Sequence, residues 1–331
     1  YQEVTGVQTC ALPISKLEEF ATKIYEKVKM NNRTRYLSLC NYLKEKHKII
    51  VKDVLPLENK PFSKIFFPEK KEFHLSDLLN LETKKLYTAA LVAQLEADEI
   101  IEEYLNEFSF PSKASKKVSK VALLNYTGAA IIMPYEIFFN ECVKKHRYDL
   151  ELLQATFAVS FEQVCHRVTC LNNPNPKLRG IPLHMIRVDR SGNVSKRFSL
   201  SGIELPRLSG ACPKWNVYSA FSNPGKISAA VSKMTDGEKY VCIARTVEKG
   251  ISKYGEEKGL LSIGLGCQIK YAKDFVYADG LNLNDEKSES KIGVSCRKCD
   301  RLNCSQRAFP PDTENYDVNI NQRGVSIFVN V

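Results

Sequence analysis

A linker-like stretch divides this chain of 331 residues, and it reads NNPNPKLRG at residues 172–180. Prolines, asparagines and a glycine at this density disfavour both helices and strands. The residues before it show helical periodicity, whereas those after it are rich in Gly, Ser and Val and alternate in polarity. We therefore predict an α+β protein with an α-rich domain over residues 16–171, a linker over 172–180 and a mixed α+β domain over 181–331.

The first domain is predicted to be mainly helical. Apolar residues recur at helical spacing over residues 16–48, which indicates two amphipathic helices. A short strand is expected over residues 47–55. Residues 81–108 contain many Ala, Leu and Glu but no Gly or Pro, so one or two buried helices are expected there.

The end of the first domain shows a lysine-rich segment followed by further helices. Residues 111–120 carry four lysines and no acid, which predicts a solvated loop before a helix over 121–133. Residues 148–171 predict a helix, a tight turn and a helix, in which Ser160 caps the second helix and Gln163 completes a capping box.

That helix pair has two interpretations. Gln163, His166 and Arg167 could contact base edges if the second helix entered a DNA groove. Packing inside an α-helical domain explains the same residues equally well, because Cys165 and Cys170 leave little polar surface. We favour packing.

The second domain is predicted to contain hairpins and short helices. The strings HMIRVD and VSKRFS flank residues 190–193 and predict a β-hairpin. The strings YVCIARTV and LLSIGLGCQI predict a second strand pair, and residues 215–221 a short helix.

Composition limits the compartment and the partners. No run reaches the roughly 20 uncharged apolar residues that a membrane span needs, and the mean hydropathy is −0.27. The net charge of +10 favours a polyanionic partner such as nucleic acid or a phosphate-rich cofactor. Eleven cysteines are too sparse for a secreted disulfide scaffold. We expect a cytoplasmic protein with no membrane contact.

Three cysteines carry the sharpest chemical signal. Cys296, Cys299 and Cys304 are spaced C-x2-C-x4-C in a loop rich in Gly and Pro, and close thiolates of this kind select zinc, copper(I) or iron–sulfur clusters. Cys267 is the candidate fourth ligand because the glycines of GLGCQI would let a bulky inorganic group approach the backbone, and Cys212 competes with it. The single knuckle favours a cluster over structural zinc. Free thiols are the remaining alternative.

Enzymatic signatures are absent from the sequence. A zinc peptidase needs His-Glu-x-x-His, which places two imidazoles one helical turn apart, and no such string occurs. Serine nucleophile elbows, P-loops and GxGxxG loops are absent as well.

A basic strip on the predicted hairpin is the candidate ligand site. Basic side chains beside aromatic and amide groups suit a nucleotide-like phosphate ligand, although an exposed basic strand face is an equal alternative. The candidate ligand-binding residues are Arg187, Lys196, Arg197, Phe198, Trp215 and Asn216.

The chain resembles a known family from residue 16 to its end. The matching strings include LLNYTGAAIIMPYEIF, VSFEQVCHRVTCL, IRVDRSGNVSKRFS, CPKWNVYSAF, IGLGC and CRKCDRLNCSQRAFPP. They resemble the short-chain fatty acyl-CoA responsive transcriptional regulators, which join an ImmA/IrrE peptidase-like domain to a C-terminal ligand-sensing domain.

The resemblance implies a ligand, a cofactor and a DNA partner. Relatives of this kind bind acyl-CoA in a GAF-like domain beside a four-iron four-sulfur (4Fe-4S) cluster, which by position would lie on Cys267, Cys296, Cys299 and Cys304. They carry an N-terminal helix-turn-helix module for DNA, which we expect to be missing here. Residues 1–15 contain VQTCALPIS, which resembles a translated sequencing adapter, so they are left out of the fold prediction.

The resemblance also implies a peptidase domain without its zinc ligands. Residues 90–94 read ALVAQ where an active relative would have His-Glu-x-x-His, and Leu123 stands near the expected acidic ligand. We therefore expect a degenerate zincin scaffold and no enzyme activity.

Taken together, the sequence predicts a fragment of a transcriptional regulator that senses short-chain acyl-CoA and controls genes of propionate or glyoxylate metabolism. A redox or iron sensor and a structural zinc module are the alternatives. A homodimer is compatible with this prediction, and the sequence does not decide the oligomeric state.

Overall fold

The computed structural model divides into two compact units, residues 1–180 with 249–259, and residues 181–248 with 260–331. It describes residues 15–28, 34–57, 61–206, 210–250, 255, 259–301, 303–312, 320–321, 324–326 and 328. The predicted adapter-derived segment, residues 1–15, lies outside the described residues except for Ser15. The α+β fold class is confirmed.

The first unit is built mainly from helices. The two amphipathic helices predicted over residues 16–48 are confirmed, and the one or two helices predicted over residues 81–108 are two in the structure. The helices are α1 (Ser15–Lys27), α2 (Arg35–His47), α3 (Leu81–Glu96), α4 (Asp98–Asn106), α5 (Lys113–Ile132), α6 (Tyr135–Phe139), a π-helical turn (Asn140–Lys145), α7 (Leu150–Phe157) and α8 (Phe161–Thr169).

Side-chain caps fix where these helices begin. The Asn80 side chain accepts the Thr83 N–H at 3.0 Å at the start of α3. Ser160 and Gln163 form the predicted capping box of α8, with bonds of 3.2 and 3.0 Å. Each cap satisfies N–H groups that have no partner inside the helix.

The predicted loop over residues 111–120 is wrong, because α5 begins at Lys113 behind a Ser112 cap. The lysines lie on the first turns of this helix and pair with acids of α4. Lys116 lies 3.1 Å from Glu102, and Lys120 lies 2.8 Å from Glu102 and 2.7 Å from Asp98. A lysine run without acids therefore forms a helix, since a neighbouring helix supplies the opposite charge.

A three-stranded sheet interrupts the helices of the first unit. Its strands are β1 (Ile50–Val54), β2 (Lys64–Phe67) and β3 (Glu72–Ser76), in the order β1-β3-β2. β1 is parallel to β3, and β2 is antiparallel to it. The sequence predicted β1 alone.

The second unit is built around a six-stranded sheet in the order β5-β4-β8-β7-β6-β9. The predicted hairpin is confirmed as an antiparallel β4–β5 pair, and β4 also pairs with β8. The elements are β4 (Leu183–Asp189), β5 (Val194–Ser199), α9 (Asn216–Ser219), β6 (Ser228–Lys233), β7 (Lys239–Lys249), β8 (Gly259–Gln268) and β9 (Ser290–Lys291).

One face of this sheet packs beneath α9. Ile186, Val188 and Cys242 of the strands join Trp215 and Val217 in one buried apolar cluster. Asn216 anchors the short helix, because its side-chain amide donates to the carbonyls of Ser228 and Cys242 at 3.4 and 3.1 Å. The residues around α9 therefore lie in the core of the second unit.

Among the described residues, no single helix combines the length and the hydropathy that a membrane span needs. The helices Lys113–Ile132 and Tyr135–Lys145 meet that criterion only as a pair, and the pair is bent by 68°.

Candidate metal centre

The three closely spaced cysteines lie in a loop after β9. We call residues 292–312 the cysteine loop. Cys299 is buried, whereas Cys296 and Cys304 are partly exposed. The loop folds tightly at Gly293, where an added Cβ would lie 2.9 Å from the sulfur of Cys299. Only glycine leaves room for that thiol.

Cys212 lies beside this loop. Backbone N–H groups of Gly293 and Lys214 hydrogen bond to its sulfur and favour the thiolate. Burial acts the other way and is the larger effect, so the pKa of Cys212 is raised, and the charges of Cys296 and Cys299 raise it further. Cys212 therefore lies within electrostatic range of two loop thiols, and two backbone N–H groups donate to its sulfur. Hydrogen bonds to the sulfur atoms are a common feature of iron–sulfur sites.

Arg307 holds the loop together from within. It is only 6% exposed, and its guanidinium donates to the carbonyls of Cys296 at 3.0 Å and Cys299 at 2.8 Å. Its backbone N–H donates to the Cys304 carbonyl at 3.1 Å. All three cysteines of the motif are thus tied to one arginine.

Cys267 lies in a different environment. It is fully buried on β8 opposite Leu183, and its charged-group neighbours are Cys242 and Asp274. Burial, followed by these neighbours, raises the pKa of Cys267 to about 12. Cys212 belongs to the buried apolar cluster together with Ile292 and Val294 of the cysteine loop, whereas the electrostatic neighbours of Cys267 lie outside that loop.

The glycines that precede Cys267 lie against other residues of the sheet core. An added Cβ at Gly266 would lie 2.7 Å from the His184 ring, and one at Gly264 would lie 2.5 Å from Val217. These glycines leave room for the side chains of His184 and Val217, and the role of Cys267 as a ligand stays a prediction.

The donor set is of the kind that an iron–sulfur cluster uses. Within the described ranges, no three Cys, His, Asp or Glu side chains converge to hold one metal ion. A four-iron cluster binds each of its four thiolates to a different iron atom, so its ligands lie farther apart than those that share a single metal ion. Thiols around Gly293, with a buried Arg307 Nε that has no hydrogen-bond partner, fit an anionic group of that kind.

The predicted ligand residues divide between two faces of the sheet. Lys196 pairs with Arg187 and Phe198 with Met185, so these side chains share one face, whereas Arg197 pairs with Ile186 on the other. The Arg187 Nε donates to Ser195 Oγ at 2.9 Å.

The side chains of the remaining three predicted ligand residues, Arg197, Trp215 and Asn216, contact other parts of the second unit. The Arg197 guanidinium donates to the Pro206 carbonyl at 2.6 Å. Trp215 is 2% exposed inside the core cluster, and Asn216 holds backbone carbonyls as described above. The structure places Trp215 and Asn216 as packing residues.

Helix α3 is closely packed along residues 90–93, within the segment that the resemblance aligns with the zinc-binding motif. Ala90, Leu91, Val92 and Ala93 are buried, and so is Leu123 on α5. An added Cβ at Gly128 would lie 2.8 Å from the backbone nitrogen of Ala90. The two helices therefore approach so closely that a larger side chain at residue 90 would meet the α5 backbone.

The DNA-contact interpretation of α8 is not supported by the position of Arg167. Its side chain is 1% exposed and forms a two-pronged ion pair with Glu18 at 2.7 and 2.8 Å. It also donates to the Met133 carbonyl at 3.0 Å. Arg167 therefore joins α8 to α1 inside the unit.

Comparison with known proteins identifies both domains. Residues 170–328 match the model of the short-chain fatty acyl coenzyme A regulator, C-terminal, and residues 53–169 match the IrrE N-terminal-like domain. The chain is 39% identical over 245 residues to the HTH-type transcriptional regulator RamB of Mycobacterium tuberculosis. It belongs to the short-chain fatty acyl-CoA regulator family.

Other members of the family carry related names. The propionyl-CoA carboxylase regulator of Cereibacter sphaeroides is 35% identical over 257 residues, 78% of this chain and 55% of that protein. The RamB match covers 73% of this chain and 51% of RamB, so the chain spans about half the length of these relatives. A solved Mycobacterium tuberculosis transcriptional regulator superposes with a TM-score of 0.87 at 29% identity, over 96% of this chain and 94% of that one.

Two buried groups, Arg307 and His184, were not identified as candidates from the sequence. Arg307 follows the cysteines in the string CSQRAF, where a lone arginine gives no signal. His184 is buried with its Nδ1 2.9 Å from Ser201 Oγ and its Nε2 3.6 Å from the Cys242 sulfur. The contacts of His184 join residues that are distant in sequence, whereas those of Arg307 depend on how the cysteine loop folds back on itself.

Proposed function

We propose that this chain is the sensing part of a transcriptional regulator that binds a short-chain acyl-CoA and holds a four-iron four-sulfur cluster on Cys212, Cys296, Cys299 and Cys304. It would act in the cytoplasm as part of a longer protein that carries a DNA-binding module. The names of its relatives support the regulatory role. The observation that carries the proposal is the placement of Cys212 beside the loop thiols.

Cys212 is preferred to Cys267 for an electrostatic reason. A buried thiol becomes a ligand only if its deprotonated form is stabilised, and N–H groups of Gly293 and Lys214 already point at the Cys212 sulfur. Neighbouring groups raise the pKa of both cysteines, so the two N–H donors at Cys212 make the difference between them. A bound cluster would supply an anionic, oxygen-sensitive centre that joins the Cys212 turn to the C-terminal loop.

The acyl-CoA part of the proposal rests on one face of the β4–β5 hairpin. Arg187 and Lys196 are cross-strand partners on that face, with Phe198 next to them. Two cations beside an aromatic ring suit the phosphates and the base of a nucleotide thioester.

Regulation would follow from linkage between ligand, cluster and DNA. A ligand shifts a conformational equilibrium only by its difference in affinity for the two states. The first unit serves as a packed scaffold in this proposal, because Ala90 and Leu91 are buried apolar residues and Gln94 is an exposed amide at the second histidine position of the peptidase motif.

Metal analysis tests the cluster. The chain is purified without oxygen, and its iron, sulfide and zinc contents are measured together with its visible spectrum. We expect about four iron atoms per chain and a brown protein. A colourless chain that contains zinc alone would contradict the cluster and favour the structural zinc module.

Calorimetric titration with propionyl-CoA tests the ligand site. The variant Arg187→Ala/Lys196→Ala should bind at least about tenfold more weakly, because charge-assisted hydrogen bonds to phosphate are lost. Lys291→Ala removes one positive charge from the opposite edge strand β9, serves as the control and should bind normally. A cluster-loaded chain that binds no acyl-CoA would favour the redox or iron sensor.

A further inference from the structure

The buried guanidinium of Arg307 makes an unusual set of contacts. One terminal nitrogen donates to the carbonyls of Cys296 and Phe309 at 3.0 and 3.2 Å. The other donates to the carbonyls of Cys299 and Arg301 at 2.8 and 2.5 Å. Four backbone carbonyls of one loop therefore converge on a single cation.

This cation has no anionic partner in the part of the chain that the structure describes. No carboxylate there pairs with Arg307, and its Nε is buried without an acceptor. Burying a charge away from water is costly unless an opposite charge compensates it. Carbonyl dipoles compensate in part, but the group keeps its net positive charge.

The geometry points to Arg307 as the positioning residue of the cysteine centre. Its fork of donors holds the backbone at Cys296 and Cys299, and its charge stabilises the anionic centre that those thiolates form. This inference rests on the proposed cluster function and assigns to this chain the group that organises it. A cluster with four thiolate ligands carries net negative charge, which a buried arginine beside its loop offsets.

Arg297 in the same loop provides a matched comparison. It stacks on Phe309 with its guanidinium carbon 4.7 Å from the ring, and it lies 3.7 Å from Asp312. Half of its side chain is exposed. Arg297→Met removes the same charge as Arg307→Met, but from a position that water screens.

The holding role is tested on the metal-free chain. Cys299 alkylation by iodoacetamide is followed by peptide mass spectrometry under reducing conditions. Arg307→Met should raise the rate at least about tenfold, since the two charge-assisted bonds that hold the loop at residues 296 and 299 are lost. Arg307→Lys should fall between, and Arg297→Met should match the wild type. Circular dichroism checks that each variant is folded.

The charge role is tested on the cluster-loaded chain by its reduction potential. Arg307→Met should shift the potential downwards, because loss of a nearby positive charge disfavours the added electron. Arg307→Lys keeps the charge and should stay near the wild type.

Equal alkylation rates for Arg307→Met and Arg297→Met would overturn the holding role, and an unchanged potential would overturn the charge role. A wild-type chain without iron would refute the proposed cluster and the charge role with it, while the alkylation result still decides the holding role.

Discussion

At the scale of single residues, burial determines the protonation states of His184 and Cys242 in the core of the second unit. His184 is 1% exposed and packs against Trp215 and Tyr240, with ring centroids 6.1 and 5.7 Å away. Burial lowers the pKa of His184 to about 3 and raises the pKa of Cys242 to about 11. The pair is therefore neutral near pH 7 and serves packing.

The depressed pKa of His184 predicts acid sensitivity. The unfolded chain binds a proton near pH 6.5 and the folded chain only near pH 3. The stability is therefore complete above pH 6.5 and is lost as the pH falls, by up to about 1.4 kcal/mol per unit. Urea unfolding at several pH values should show a shallower dependence for His184→Gln. Identical slopes for the wild type and His184→Gln would refute the assignment.

At the scale of elements, helices α1 and α8 are joined by a buried ion pair. Arg167 is almost fully buried and pairs with Glu18, which also accepts a hydrogen bond from Tyr126. Removing one partner leaves a buried charge without compensation.

Glu18→Gln should therefore lower the free energy of unfolding by about 3 kcal/mol. Chemical denaturation measures this loss. Lys16→Met breaks the exposed Lys16–Glu103 pair on the same helix and should leave stability unchanged, because exposed pairs contribute little. Equal losses of unfolding free energy for the two substitutions would contradict the larger contribution of the buried ion pair.

The approach of α3 to α5 gives a second prediction at this scale. Alanine normally favours a helix by about 1 kcal/mol over glycine, but a Cβ at Gly128 would meet the Ala90 backbone at 2.8 Å. Overpacking costs about 1–3 kcal/mol, so Gly128→Ala should destabilise the unit. Gly280→Ala is the control, because nothing lies within 4 Å of its added Cβ. Thermal unfolding that favours Gly128→Ala would contradict this close packing.

The elements show how far local sequence determines the structure. Helices with strong periodicity and caps, such as α8 with Ser160 and Gln163, were predicted because their signals are local. The start of α5 was missed because its lysines pair with acids of α4. The motif of the cysteine loop was visible as a spacing, but the choice between Cys212 and Cys267 depends on how distant strands and turns fold.

At the scale of the whole molecule, the proposed function assigns a packed scaffold to the first unit and the binding of two coupled ligands to the second. Coupling of this kind is reciprocal, and typical values correspond to about 5- to 150-fold in affinity. The cluster and the acyl-CoA should therefore stabilise each other.

This reciprocity is measurable on the isolated chain. Propionyl-CoA should bind the cluster-loaded chain at least about fivefold more tightly than the metal-free chain. Saturating propionyl-CoA should also slow the loss of cluster absorption in air, and free coenzyme A serves as the control. Equal affinities for the loaded and metal-free chains would show that the two sites are independent.

The most direct measurement compares two cysteine variants after anaerobic cluster reconstitution. Iron and sulfide per chain are determined for the wild type, Cys212→Ser and Cys267→Ser, each checked for folding by circular dichroism. We expect Cys212→Ser to lose most of its iron and sulfide, and Cys267→Ser to keep the wild-type content. Full iron and sulfide in folded Cys212→Ser would contradict the account.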